Sequence, residues 1–371
     1  MRELLDIVSA FEEAERKGQK TALATVVGVT GSTYRRPGAR MLFSEEGRRA
    51  GLINAACLES DLSERAAKVI LRGKPELISY DTTSPDDIVF GLGLGCNGTV
   101  EILMEPSQRS PLAEKNSVLK RCVQGDQPIV MGTIIGMSGG DGHSLGDFVA
   151  FQGRTKIAGT ITDGELASKI ETHCASMEDA VFAQQSFPLG KGKIRVFFEV
   201  ISPPLPLIVC GAGPDALPLV MAAKQLGWNV TVVDHRPAYA TKSAVPAADS
   251  VILAEPAQIC DHVKLSQRHV AVVMTHHFEK DRMLLKLLLP SEVRYVGLLG
   301  PKSKLQTLLQ NLEAEGFTPP PEQLAKLHAP IGLDIGAETP EEIAFSIIAE
   351  IKAVLEHRSG GFLRDRQGAI H

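Results

Sequence analysis

The chain lacks the features that would direct it to nucleic acid or to a membrane. Its 39 lysines and arginines are outnumbered by 44 aspartates and glutamates, so the net charge of −5 gives no general attraction for polyanions. It contains no run of roughly eighteen apolar residues, which a membrane span requires. The amino end, MRELLDIVSAFEEAERKG, is typical of an acidic amphipathic helix and not of a secretory signal. We therefore expect a cytoplasmic protein that binds neither nucleic acid nor membrane.

Paired cysteines are also missing. The six cysteines stand at positions 57, 96, 122, 174, 210 and 260, and no two of them form a CxxC pair. This spacing excludes a zinc ribbon and a thioredoxin-like motif, and in a reducing cytosol the side chains should be thiols. Cys210, in an apolar strand pattern, and Cys260, in a helix-like stretch, are expected to be buried and inert. Cys57 and Cys96 differ because both follow turns of small residues.

The length and composition of the chain allow more than one domain. Its 371 residues, 44% of them hydrophobic, are enough for two or three separate cores. Residues 1–106 combine helix and strand patterns and predict an α/β domain. Residues 107–202 consist mainly of short alternating runs, with a single helical pattern near 164–174, and predict a β-rich middle segment. A Pro-rich linker at 202–206 then leads into a third region, residues 203–371.

Residues 205–237 have the pattern of a strand, a glycine turn, a helix and a second strand, LPLIVCGAGPDALPLVMAAKQLGWNVTVVDHRP. Gly211 permits a tight turn, and Gly213 lets backbone amides approach a pyrophosphate. Small Ala216 lets the helix pack closely on the strand. Asp234 follows about twenty residues later, where its carboxylate can accept the ribose hydroxyls of a nucleotide. The stretch therefore predicts a Rossmann-type nucleotide site.

Three residues near the turn bear on whether a nucleotide is bound. Pro214 removes one backbone donor from the turn, and Asp215 places negative charge where a phosphate would lie. Arg236 is placed either to meet an extra phosphate or to be solvated. The alternative interpretation is a Rossmann fold that has lost its ligand.

The rest of the chain continues to alternate strand and helix patterns, which is typical of a parallel sheet covered on both faces. His276 and Lys302 follow two of these strands, so both should lie at the same carboxyl edge as the glycine turn. Either side chain could contact phosphate or substrate, and a strand-end histidine could equally be bonded to backbone. The predicted fold class is α/β, with a C-terminal Rossmann-like parallel sheet bearing helices on both faces, an N-terminal α/β domain and a β-rich middle segment.

Six stretches of the sequence resemble the XdhC/CoxI family of accessory proteins for molybdenum hydroxylases such as xanthine dehydrogenase and carbon monoxide dehydrogenase. Three lie near the amino end, and three lie in the last region. They are GSTYRRPGARM at 31–41, CLESDL at 57–62, LGCNGTVEILMEP at 94–106, the βαβ stretch above, YVGLLGPKSK at 295–304, and HAPIGLDIGAETPEEIAFSIIAEI at 328–351. The middle segment adds nothing to this resemblance.

The resemblance implies a maturation factor. Such a protein would bind molybdenum cofactor, protect it while its terminal sulfido ligand is installed, and deliver it to an apo molybdenum hydroxylase. The implied partners are that apo-enzyme and a cysteine desulfurase, and we also expect a homo-oligomer. Turnover is not implied, so no catalytic residue is predicted. The sequence departs from the family pattern at three points, which are Ala55-Ala56 for Gly-Gly, Pro214 for His, and His277 for Asp.

Two cysteines and three arginines are the candidate contacts for this cargo in the first region. Molybdenum in the cofactor is held by soft dithiolene sulfur, so the thiolates of Cys57 and Cys96 are candidate molybdenum contacts. Cys57 also precedes a helix pattern whose N-terminal dipole would favour the thiolate. Arg35, Arg36 and Arg40 are candidates for the pterin phosphate through forked guanidinium contacts. The alternatives are two cysteines packed in tight turns and three solvated arginines.

The ligand of the glycine turn is left open by the sequence. A dinucleotide form of the cofactor, NAD(P) or a flavin would each suit it, and Asp234 favours an unmodified ribose. The competing function is an NAD(P)-dependent oxidoreductase, although no acid or base constellation for hydride transfer is evident. A third interpretation is a partner-docking scaffold with a degenerate pocket.

Overall fold

The computed structural model describes two compact units, residues 3–203 and residues 204–371. The described residues are 1–31, 34–53, 58–81, 98–108, 110–139, 142–162, 164–175, 177, 181–190 and 192–367. The boundary predicted at 202 lies close to the division between the units, whereas the one at 106 falls inside the first unit. The three-part division of the chain remains a prediction.

The first half of the N-terminal unit is a five-stranded antiparallel sheet with helices on it. Its elements are α1 (Arg2–Arg16), β1 (Thr21–Gly31), β2 (Arg40–Ser44), β3 (Arg49–Gly51), α2 (Glu59–Arg72), β4 (Glu76–Asp81) and β5 (Gly98–Pro106). The strands lie in the order β3-β2-β1-β5-β4. The central strand β1 is a β-branched run buried along most of its length, and α2 packs its apolar face against this sheet.

The second half of the unit repeats this order of elements. It comprises α3 (Leu112–Gln124), β6 (Ile129–Ser138), β7 (Phe148–Gln152), β8 (Thr155–Gly159), α4 (Gly164–Ala175), β9 (Phe182–Leu189) and β10 (Gly192–Ile201). The strand order is β8-β7-β6-β10-β9. The prediction of a single helical pattern in this segment was wrong, because α3 is a second helix. Its inner face includes buried Lys115 and Asn116, which interrupt the apolar pattern.

The C-terminal unit is a six-stranded parallel sheet in the order β13-β12-β11-β14-β15-β16. Its strands are β11 (Pro206–Cys210), β12 (Asn229–Asp234), β13 (Ser250–Leu253), β14 (Val270–Val273), β15 (Tyr295–Leu298) and β16 (Leu327–His328). Its helices are α5 (Ala216–Gln225), α6 (Ile259–His262), α7 (Phe278–Leu288), α8 (Lys302–Ala314), α9 (Pro321–Leu324) and α10 (Pro340–Leu355). The chain order reverses between β11 and β14, which is where such sheets bind ligands.

Alternate residues of the buried strands face two separate cores. Leu207 and Val209 of β11 pack with α5 and α10 on one face of the sheet. Ile208 and Cys210 pack with α7 and α8 on the other. Because both faces are covered, the strands are apolar throughout, and the predicted Rossmann-like fold class is confirmed. Among the described residues, no helix combines the length and apolar composition needed to cross a bilayer.

Candidate functional site

The thiols predicted to contact molybdenum, Cys57 and Cys96, lie outside the described residues, and their role remains a prediction. Within the part of the chain that the structure describes, no group of three or more His, Cys, Asp or Glu side chains could hold a metal ion. Cys210 is buried as predicted, and burial raises the pKa of its thiol to about 12. The prediction for Cys260 was wrong. This thiol is exposed, because Ile259 is the residue of the short helix α6 that enters the core.

The three candidate arginines have different surroundings. Arg36 is exposed. Arg35 is partly buried and forms an ion pair with Glu3 of α1, with 2.6 Å between Nη2 and Oε2. Of the two, Arg36 is the side chain that an anion could reach without displacing a protein carboxylate.

Arg40 is buried between the two halves of the N-terminal unit. Its Nη2 group forms an ion pair with Glu199, and Nη1 donates to the Gly38 carbonyl oxygen at 2.9 Å. The two side chains are only 8% and 6% exposed. The positive charge is therefore compensated inside the protein, so a phosphate could bind Arg40 only if this pair opened.

The glycine turn between β11 and α5 has the geometry that a Rossmann fold requires at its first glycine. Gly211 has a φ of +119°, and a Cβ atom there would lie 2.4 Å from the carbonyl oxygen of Met274. Only glycine fits this position. Ala216 is fully buried where α5 meets the sheet. At Gly213, a Cβ atom would meet only the end of the Asp215 side chain.

Backbone amides of the turn are partly committed to the protein itself. The Gly211 amide donates to the carbonyl oxygen of Val233, and the Ala216 amide donates to that of Gly213. Pro214 has no amide hydrogen to offer. An anion at the start of α5 therefore finds fewer donors than an open turn would provide.

Asp234 lies at the end of β12 and is held by four donors. Oδ1 accepts from the backbone amide of Arg236 at 2.8 Å and from its Nε at 3.0 Å. Oδ2 accepts from the Ala212 amide and from Arg236 Nη2, both at 2.7 Å. Burial alone would raise the pKa of Asp234, but these bonds outweigh it and lower the pKa to about 2. The predicted ribose contact would require Arg236 to leave.

His276 and Asp215 meet across the point where the strand order reverses. His276 Nε2 and Asp215 Oδ2 are 2.7 Å apart, and the histidine remains 58% exposed. His276 also has a φ of +57°, which costs a non-glycine residue on the order of 1 kcal/mol and is commonest at functional sites. The negative charge of Asp215 thus stands at the start of α5, joined to an imidazole that a ligand in this crevice could touch.

A buried network behind this edge was not predicted from the sequence. The Thr275 hydroxyl donates to Asp281 Oδ1 at 2.5 Å, and Lys304 Nζ lies 2.5 Å from Asp281 Oδ2. Lys304 also donates to the Leu299 carbonyl oxygen at 2.9 Å. Lys302, the predicted contact, is instead an exposed residue at the start of α8. A lysine two positions further along the same helix is the one that reaches the strand ends.

A second unpredicted cluster joins the far side of the sheet to α10. The Tyr295 hydroxyl donates to Glu350 Oε2 at 2.5 Å, and the Gly332 amide donates to the same oxygen at 2.9 Å. The His328 ring stacks on Tyr295 with 4.5 Å between centroids. Burial raises the pKa of Tyr295 strongly, and its bond to Glu350 adds to this shift. His328 and Glu350 both lie in the conspicuous 328–351 stretch, which was the available signal.

Family comparisons match both units of the chain. Residues 14–81 match the family described as the XdhC and CoxI family. Residues 207–351 match the family described as the XdhC Rossmann domain.

Individual relatives extend these matches over nearly the whole chain. A Bacillus subtilis protein, named as one of the probable subunits of xanthine dehydrogenase, is 34% identical over 333 residues, covering 90% of this chain and 92% of the relative. The Escherichia coli protein named "Molybdenum cofactor insertion chaperone PaoD" is 21% identical, covering 93% and 87%. A crystal structure described as a xanthine dehydrogenase from Bacillus halodurans is 32% identical with a TM-score of 0.77, covering 95% and 96%.

Proposed function

Because this chain belongs to the XdhC and CoxI family, we propose that it is an accessory chaperone for molybdenum cofactor. It binds molybdopterin or the dinucleotide form of the cofactor and assists its sulfuration. It then inserts the cofactor into a molybdenum hydroxylase of the xanthine dehydrogenase type. The observation that carries the proposal is the match over 93% of the chain to a relative named as an insertion chaperone.

The partners and location follow from this role. An apo molybdenum hydroxylase receives the cofactor, and a cysteine desulfurase supplies the sulfur. Both reactions take place in the cytoplasm, with the chaperone acting as a homo-oligomer.

The N-terminal unit holds the molybdenum end of the cargo in this proposal. Cys57 and Cys96 supply soft thiolate contacts to the metal. Arg36, exposed in the middle of the 31–41 stretch, binds the pterin phosphate, and Arg35 joins it by exchanging its bond to Glu3 for one to the phosphate. Arg40 contributes by fixing the end of this loop from its buried position.

The carboxyl edge of the parallel sheet takes a nucleotide portion of the cargo. Gly211, Gly213 and Ala216 shape the turn, and His276 and Lys302 are the neighbouring side chains able to meet a phosphate. Asp234 serves the turn by fixing the Ala212 amide and contacts ribose only after Arg236 moves.

The alternative, an NAD(P)-dependent oxidoreductase, fits this edge less well. Asp215 places a carboxylate beside the phosphate position, and the four acceptor positions of Asp234 are occupied. A nicotinamide dinucleotide would need both side chains to rearrange, and leaving Asp234 without Arg236 would cost a charge-assisted bond of about 2 kcal/mol. These contacts support a carrier over a hydride-transfer enzyme.

Cofactor retention by cysteine variants tests the proposal. Protein expressed in a molybdenum-competent host is purified by gel filtration, and the pterin and molybdenum retained per chain are measured. We expect the Cys57→Ala, Cys96→Ala double variant to retain about tenfold less of both than the wild type, as expected for the loss of metal contacts.

The matched control is Cys260→Ala, because this thiol is exposed and lies in the other unit. It should retain wild-type amounts. Normal retention by the double variant would rule out the thiolate role, and a wild-type protein that retains no pterin at all would overturn the proposed function.

A further inference from the structure

The two halves of the N-terminal unit have the same strand register as well as the same element order. In the first half Thr25 of β1 pairs with Arg40 of β2, and 108 residues later Thr133 of β6 pairs with Phe148 of β7. All five residue pairs of the β1–β2 ladder recur in the β6–β7 ladder with this shift. The irregularity in the β1–β5 ladder, next to Gly28, also recurs in the β6–β10 ladder.

The turns that follow the central strands also correspond. Gly38 has a φ of +92° and its amide donates to the Val26 carbonyl oxygen at 2.8 Å. Gly146, 108 residues later, has a φ of +90° and donates to the Ile134 carbonyl oxygen at 2.9 Å. The central strands keep related sequences, TVVGVTG at 25–31 and TIIGMSG at 133–139.

Equivalent residues of the two halves contact each other. Glu101 on β5 forms a two-pronged ion pair with Arg195, which holds the same position on β10, at 2.8 and 3.2 Å. One buried cluster consists of two equivalent pairs, Val27 with Ile135 and Leu103 with Phe197. Pairing of each position with its own counterpart is the arrangement of a two-fold dimer interface.

Two buried glutamates cross between the halves in a reciprocal way. Glu105 at the end of β5 pairs with Lys115 of the second half at 2.6 Å and lies against the Gly146 turn. Its counterpart Glu199 on β10 pairs with Arg40 of the first half and lies against the Gly38 turn. Each half therefore uses a carboxylate to hold the glycine turn of the other.

We infer that residues 112–201 are a second copy of the fold formed by residues 2–106, and that Glu199 of this copy is a positioning residue for the arginine loop of the first. The second copy stands where the other protomer would stand in a symmetric dimer. Its Glu199 anchors Arg40 and Gly38, and so fixes the carboxyl end of the loop that presents Arg35 and Arg36.

The two copies have diverged in the loop itself. The positions of Arg35, Arg36 and Arg40 are taken in the second copy by His143, Ser144 and Phe148. None of the three cations is kept, so the second copy supports a ligand loop without forming one of its own. This division of labour rests on the proposed function only in the identity of the ligand.

Limited trypsin digestion tests the positioning role without any ligand. Trypsin can cut the Arg35–Arg36 bond, and the following bond is protected by Pro37. The rate at this bond is measured by mass spectrometry relative to the bond after Lys17, which ends α1 in an exposed position. We expect Glu199→Gln to raise the relative rate about tenfold, because a buried charge-assisted bond then no longer holds the loop closed.

Glu105→Gln is the matched control, since it removes an equally buried ion pair on the opposite side of the same interface. It should leave the relative rate unchanged, and Glu199→Asp, which keeps the charge, should give an intermediate rate and covers the case that Glu199→Gln does not fold. An equal rise in Glu105→Gln and the Glu199 variants would indicate general loosening and overturn the inference, as would no rise in either.

Retention of molybdopterin distinguishes this inference from the proposed function. Glu199→Gln should weaken retention about tenfold, and Glu105→Gln should not. Wild-type protein that retains no pterin would overturn the proposed function while the digestion result still decides the role of Glu199. Normal retention by a folded Glu199→Gln variant would overturn the positioning role alone.

Discussion

The two units of this protein secure their conspicuous charged residues in different ways. In the C-terminal unit Asp234 is held by Arg236, two residues away, and by Ala212, 22 residues away. In the N-terminal unit Arg40 is held by Glu199, 159 residues away on the other half of the unit. The first arrangement belongs to a single βαβ motif, and the second exists only after two copies of a fold have come together.

This difference determines what each unit loses when a residue is changed. A local motif is stabilised by backbone geometry and short-range bonds, so its weakest points are glycine positions and the bonds of one aspartate. An interface between two copies depends on buried charges whose partners are far apart in the chain. Removing one partner there leaves the other buried without compensation.

The largest effect is expected for Arg40→Met. The change leaves the Glu199 carboxylate buried without its cation, and breaking such a pair costs about 4 kcal/mol of unfolding free energy. Urea unfolding of the purified protein gives the value. The control is Arg195→Met, whose ion pair with Glu101 is about a third exposed and should contribute less than about 1 kcal/mol. Similar costs for the two variants would remove the distinction between buried and exposed pairs.

The glycine turn offers the next largest effect. Gly211→Ala places a Cβ atom against the Met274 carbonyl oxygen at a φ of +119°, so we expect a loss of about 3 kcal/mol. Gly213→Ala should cost less than about 1 kcal/mol, because its Cβ meets only the movable end of Asp215. Thermal unfolding followed by tryptophan fluorescence reports on this unit, since the single Trp228 lies in its core. A costly Gly213→Ala would mean that the second glycine is also structurally required.

The smallest of these effects should depend on pH. The pKa of Asp234 is lowered to about 2, so its bonds stabilise the fold above the ordinary aspartate pKa and are lost as pH falls toward 2. Asp234→Asn should therefore cost about 2 kcal/mol near pH 7 and progressively less below about pH 4. Urea titrations of both proteins across this range measure the difference. A constant difference at all pH values would show that the carboxylate charge plays no part.

Much of the C-terminal unit could be predicted because its signals are local. Strands 250–253 and 295–298 and the turn at Gly211 lie where the sequence places them. The Asp281–Lys304 pair escaped prediction because its partners lie on different helices and neither belongs to a recognised motif. The sequence also gives no sign that Arg236 occupies Asp234, since that depends on which of two rotamer environments the arginine adopts.

The N-terminal unit was predicted less completely for a related reason. Helix α3 carries Lys115 on its buried face, and this lysine is acceptable there only because Glu105 compensates it. The apolar periodicity that would reveal the helix is therefore broken. The same pairing of distant charges hides Arg40, which reads as a loop cation until Glu199 is placed beside it.

The account depends most directly on what the protein carries. Native mass spectrometry of the chain purified from a molybdenum-competent host, with the released ligand identified by fragmentation, measures this. The account predicts a molybdopterin or its dinucleotide, bound with molybdenum and lost from the Cys57→Ala, Cys96→Ala variant. A nicotinamide or flavin nucleotide bound instead, with the cysteine variant unaffected, would contradict it.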